Sequence, residues 1–134
     1  MTSKAVLIRN IAVALGIAVI AAVLISQYLT TSQFTRLADE IDRTPIRVDQ
    51  SVLESYTGTY ELRPGFRVHV TATETGLLAQ ATNQTQVAFH PATQTVFFND
   101  ITPLLMKFEQ DEQGNVTGFQ ALEPGRNRLA VRVE

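Results

Sequence analysis

The longest uninterrupted apolar stretch runs from Ile11 to Ile25 and contains one glycine, Gly16. Continued through Ser26, Gln27 and Tyr28 to Leu29, it is just long enough to cross the roughly 30 Å hydrocarbon core of a bilayer. A helix over 11–29 is apolar around its whole circumference, which suits lipid better than the one-sided burial of a soluble core helix. Lys4 and Arg9 precede it, and no acidic residue occurs before Asp39. The segment therefore reads as a transmembrane anchor with residues 1–10 cytoplasmic and the rest of the chain outside. A removed signal peptide has a similar charged start and apolar run. However, Leu24 with Ser26, or Ile20 with Ala22, supplies only one of the two small residues that cleavage wants. Ala12 and Gly16, four apart, offer a small-residue face on which another membrane helix could pack.

Residues 30–50 change pattern. Phe34, Leu37, Ala38 and Ile41 recur at i, i+3, i+4 and i+7, with Arg36, Asp39, Glu40 and Asp42 on other faces, predicting a short amphipathic helix next to the membrane. Its apolar stripe is expected either to pack on the protein's own outer domain or the membrane surface, or to dock a partner. Pro45 ends helical structure, because it lacks a backbone donor and drives Thr44 toward extended geometry.

From Ser51 to Glu134 short runs of Thr, Val, Phe and Tyr are punctuated by Gly, Pro and Asn, the texture of an all-β domain. Phe66, Val68, Val70 and Ala72 alternate with Arg67, His69, Thr71 and Thr73, as on a half-buried strand. Further strands are predicted over 56–63, 77–81, 86–89, 95–99, 104–110, 116–122 and 129–133, eight in all with no helix between them. The turns Asp111 to Asn115 and Glu123 to Asn127 carry glycine, asparagine and proline chemistry suited to hairpins. Consecutive strands joined so tightly must be antiparallel neighbours, giving an up-and-down meander that curls into a barrel or half-barrel. With strands this short, a shallow groove or a core filled by side chains is expected rather than a deep cup.

The segment 52–133 carries Tyr56-x-Gly58-x-Tyr60-Glu61, the Phe97-Phe98 pair and a Phe108-to-Gly118 hairpin with a glycine-asparagine turn. In these it resembles the uncharacterised lipocalin-like domain often found C-terminal to serine hydrolases of the β-lactamase and penicillin-binding class. The resemblance implies a small barrel-like module that accompanies a catalytic domain without supplying its catalytic residues. This chain has no Ser-x-x-Lys pair of the kind those hydrolases use, so no catalytic residue carries over.

A net charge of −2 with arginines scattered among acids excludes a phosphate-neutralising surface, so nucleic acid is not an expected partner. Without cysteine there are no disulfides or thiolate sites, and the packed core must hold the domain together. His69 on the polar face of its strand and His90 before Pro91 sit in no catalytic or metal-ligand spacing. Glu109, Asp111 and Glu112 lack the ladder of a calcium loop and read as a solvated turn. No enzymatic activity and no cofactor or metal is expected. Arg63, Arg67, Arg126, Arg128 and Arg132 lie in the first two and last strands or their turns. Closing the sheet would gather them into a patch for an anionic ligand, unless they simply pair with glutamates such as Glu61. Phe97 and Phe98 must point to opposite faces, so one of them faces outward or into a partner.

Two functions suit this inventory. One is a non-catalytic accessory subunit, periplasmic and anchored in a bacterial inner membrane, that stabilises a larger membrane-protein complex through Ala12, Gly16, Phe34, Leu37, Ile41, Phe97 and Phe98. The other is a tethered lipocalin-like module that binds a small apolar or cell-wall-derived ligand in the barrel mouth.

Overall fold

A computed structural model describes residues 34–134 of the chain. The segments 1–10 and 11–29, with Ala12 and Gly16, lie outside the described residues. Among the described residues no helix is long and apolar enough to cross a membrane.

The described residues form strands β1 (Gly58–Arg63), β2 (Phe66–Ala72), β3 (Leu77–Ala81), β4 (Val87–Pro91), β5 (Val96–Phe98), β6 (Leu105–Gln110), β7 (Val116–Glu123) and β8 (Arg126–Arg132). Each pairs antiparallel with the next, and β1 pairs with β8 through Tyr60 opposite Arg132 and Glu61 opposite Val131, closing the barrel. The alternation in β2 is the physical basis of this wall: Val68 and Val70 are buried inside while Arg67, His69 and Thr71 are exposed. Closure leaves no edge strand among the described residues to pair with another chain. At Gly118 the wall is tight, because a Cβ there would run into the Ala130 carbonyl oxygen of β8.

Among the described residues, two helices flank the strands. The first, α1, is helical over the described residues 34–40. Its Phe34 is buried, and Leu37, Ala38 and Ile41 pack with it against Phe98, Leu105 and Leu122 on the outer wall. The apolar stripe of the amphipathic segment thus lies on the protein's own barrel. Beyond Pro45 the chain runs extended, and the Ile46 amide donates to the Pro91 carbonyl at 2.9 Å. The second helix, α2 (Gln50–Ser55), occupies the last residue of the expected linker and the start of the domain expected to be all-β, ahead of the strand predicted from Tyr56. It buries Leu53 completely, and Tyr56 immediately after it is buried as well. One and a half turns are too few for helical periodicity to register in the sequence, and the helix owes its stability to this burial rather than to propensity.

One half of the barrel interior is aromatic. Tyr56 stacks on Phe108 with centroids 4.1 Å apart, and Phe97, Tyr60 and Phe119 meet Phe108 edge-on or tilted at 5.6–5.9 Å. The Tyr60 hydroxyl donates to the Tyr56 carbonyl and the Tyr56 hydroxyl to the Gln94 carbonyl, each at 2.7 Å. With their polar tips satisfied, the tyrosines pack as apolar bodies.

Candidate functional site

The antiparallel order sends the turns alternately to the two ends of the barrel. One end holds α2, the β2–β3 and β4–β5 turns and the β6–β7 hairpin. The other holds the β1–β2 turn, the β3–β4 and β5–β6 loops and the β7–β8 turn. At this second end the interior opens into a cavity of about 560 Å³. That volume lies within the range of small-molecule sites, and it departs from the expected shallow groove or filled core.

The cause is a gradient in side-chain size. Inward positions toward the α2 end carry Tyr60, Phe97, Phe108 and Phe119, whereas the cavity walls are built from Val68, Ala79, Ala81, Val87 and Ala121, with Phe89, Met106 and Phe119 below. Small inward residues fail to meet across the barrel, and the space between them stays open. Leu62, Phe66 and Leu104 complete an apolar wall, and the polar groups stand at the rim: Gln84, Thr85, Asn99, Thr102, Glu123 and Arg128.

Asn99 shapes one side of the mouth. Its side-chain oxygen accepts from the Ile101 and Thr102 amides at 3.0 and 2.7 Å, and its Nδ2 donates to Thr102 Oγ1 at 3.0 Å and the Leu104 carbonyl at 3.1 Å. The side chain is 1 % exposed, so water cannot replace these partners without opening the loop. Asn99→Ala is expected to lower the unfolding free energy by about 1–2 kcal/mol and to raise amide hydrogen exchange selectively at Ile101 and Thr102. Unchanged exchange there would contradict this role.

The arginines expected to form one patch are divided. Arg63 lies over the Phe66 ring, 5.1 Å from its centroid, and Arg128 lines the cavity mouth. Arg67 instead pairs with Glu61 at 3.1 Å across the β1–β2 ladder. Arg132, at the opposite end, donates to the Ser55 and Thr57 carbonyls at 3.3 and 2.7 Å and ties the end of α2 to the barrel. Barrel closure brings first and last strands together, but strand direction spreads their arginines along the axis.

Phe97 points inward and is fully buried, while Phe98 points outward and is covered by α1. His69 is exposed, with Nδ1 2.9 Å from Thr59 Oγ1. His90 falls within β4, with Nε2 3.0 Å from the exposed Asp100 carboxylate and its ring beside Phe98. The Asp111 carboxylate accepts from the Asn115 and Gln113 amides at 2.9 and 3.0 Å, and these bonds, Asn115 first, hold its pKa below the usual carboxylate range. It is a turn-forming residue of the β6–β7 hairpin.

The family model of a domain of unknown function, DUF3471, matches residues 42–130. No curated protein and no solved structure matches the chain.

Proposed function

The chain belongs to the DUF3471 family, and for this member we propose that the barrel is a non-catalytic binding module that takes a small apolar molecule into its open mouth. The supporting observation is the cavity of about 560 Å³, with apolar walls and polar groups confined to its rim. Burying an apolar ligand there removes its surface from water, while the rim groups orient whatever polar end it has. The segment 11–29 tethers the module at the outer face of a bacterial inner membrane in this reading. Its resemblance to domains that follow serine hydrolases suits a module that handles a ligand without transforming it.

An accessory subunit bracing a larger complex is the weaker reading. Phe34, Leu37, Ile41 and Phe98, which motivated it, are spent on one another within the chain. Among the described residues, the exposed Leu129 and Val131 on the outer side of β8, with Val133 just beyond it, still favour it.

The test uses the full chain in phosphatidylcholine nanodiscs, titrated with the fluorescent probe N-phenyl-1-naphthylamine and read against empty nanodiscs. Saturable binding is expected. Ala121→Phe, whose ring would enter the cavity, should weaken it by at least about tenfold, equivalent to about 1.4 kcal/mol. Equal probe binding by the wild type and Ala121→Phe would refute the cavity as the site.

A further inference from the structure

The mouth of the cavity is not electrically neutral. Arg63, Arg126 and Arg128 stand at this end of β1 and β8, against Glu123, whose cross-strand neighbour is Arg126. Other charged groups nearby are the Arg67–Glu61 ion pair and the exposed Asp100 carboxylate, 3.0 Å from His90 Nε2. The far end of the barrel is acidic, with Glu54, Glu74, Asp111, Glu112 and Glu134 on its turns and termini. Of the mouth arginines, Arg128 alone lines the cavity. It is partly buried and takes part in no ion pair among the described residues.

An unpaired guanidinium beside apolar walls is a poor neighbour for a wholly apolar ligand, since covering it would desolvate its charge uncompensated. It suits a ligand whose far end is an anion, because a planar guanidinium can donate two parallel hydrogen bonds to a carboxylate or phosphate. Such an end would lie at the rim, where β8 presents Arg128, while an alkyl chain descends past Ala79, Ala121 and Met106 toward Phe119.

We propose that the ligand of this cavity is a single-chain amphiphile with an anionic head group, its tail inside the barrel and its head on Arg128. This rests on the cavity being the binding site and adds the ligand's chemical class. Glu123 lines the same rim and disfavours dianionic heads set deep in the mouth.

The experiment uses the full chain in phosphatidylcholine nanodiscs and a decanoic acid bearing a diazirine midway along its chain. After photolysis, the labelled residues are mapped by mass spectrometry. Decanoate, decanol and decyltrimethylammonium then compete at matched free concentrations. Labelling is expected at cavity residues such as Met106 and to be lost in Ala121→Phe. Decanoate should compete roughly tenfold better than decanol, and Arg128→Gln should abolish that preference while Arg128→Lys keeps most of it. Equal competition by decanoate and decanol in the wild type, a preference that survives Arg128→Gln, or stronger competition by decyltrimethylammonium would overturn the head-group assignment while leaving the cavity as the site. Absence of label from every cavity residue would overturn both.

Discussion

Replacing Phe108 by alanine is expected to cost about 3–5 kcal/mol of unfolding free energy, a large share of the total for a domain of this size. Phe108 is the centre of the aromatic half of the barrel: Tyr56 stacks on it, and Tyr60, Phe97 and Phe119 all reach it. Those four rings come from the α2 end of the chain and from β1, β5 and β7, which are too rigidly paired to collapse into the space a truncation leaves. Phe98→Ala is the comparison, because Phe98 stands on the neighbouring strand opposite Leu105, three residues along the ladder from Phe108, but on the outer wall beneath α1. It should release α1 and cost less to the barrel itself. Pulse proteolysis of the full chain across a urea series in nanodiscs measures both. A Phe108→Ala loss below about 1 kcal/mol would mean that the aromatic cluster is not the core of the domain.

Alkaline pH should destabilise the barrel well before its backbone is attacked. Burial pushes the Tyr60 hydroxyl up to about 12, with Arg132 opposing and Tyr56 adding to the rise. Burial raises Tyr56 in the same direction. In the unfolded chain a tyrosine ionises near the ordinary value of 10.0, so below that pH both states are protonated and the full stability is present. Above it the unfolded chain sheds the proton while the folded one retains it, and stability falls as pH climbs toward the folded value. The loss attributable to Tyr60 is about 2–3 kcal/mol by pH 12. Tyr60→Phe removes this titration together with the hydrogen bond to the Tyr56 carbonyl. The variant should therefore start about 1 kcal/mol less stable at neutral pH, and the gap should close above pH 10 and reverse by about pH 12. Parallel curves for the two proteins would exclude Tyr60 as the responsible group.

Most of the strand pattern was legible because local sequence carries it. The alternation from Phe66 to Ala72 marks β2 residue for residue, and the run Leu77–Ala81 is β3 as predicted. The Gly114 and Gly125 turns, both at positive φ, fall at the β6–β7 and β7–β8 connections. The ends of elements were less legible. The stretch predicted as strand from Tyr56 begins at Gly58, since Leu53 and Tyr56 are drawn under the barrel as part of α2 and its exit. The last strand begins three residues before the predicted Leu129, because Arg126, Asn127 and Arg128 pair across the turn with β7 despite their polarity. Pairing there is a property of the hairpin, not of the side chains.

The candidate site was less readable still. Alternation separates inward from outward residues but says nothing about which inward side chains lie at the same height. Ala79, Ala81 and Ala121 therefore look like ordinary strand residues until closure sets them around one cavity. Their size was the available signal: small residues at the ends of strands that share one barrel mouth. The arginines show the converse. Arg128 and Arg132 are four residues apart on one strand, yet one lines the mouth and the other ties down α2 at the far end.

The sequence by itself determined the class of the outer domain, its eight strands, their antiparallel order and the amphipathic stripe of α1, because period, turn chemistry and short connections are local properties. Only the tertiary structure decided that β1 closes on β8, that Phe97 faces in while Phe98 lies under α1, that α2 plugs one end, and that the other end is hollow. Each of these depends on residues distant in the chain arriving at the same height around the barrel, and no local pattern records that height.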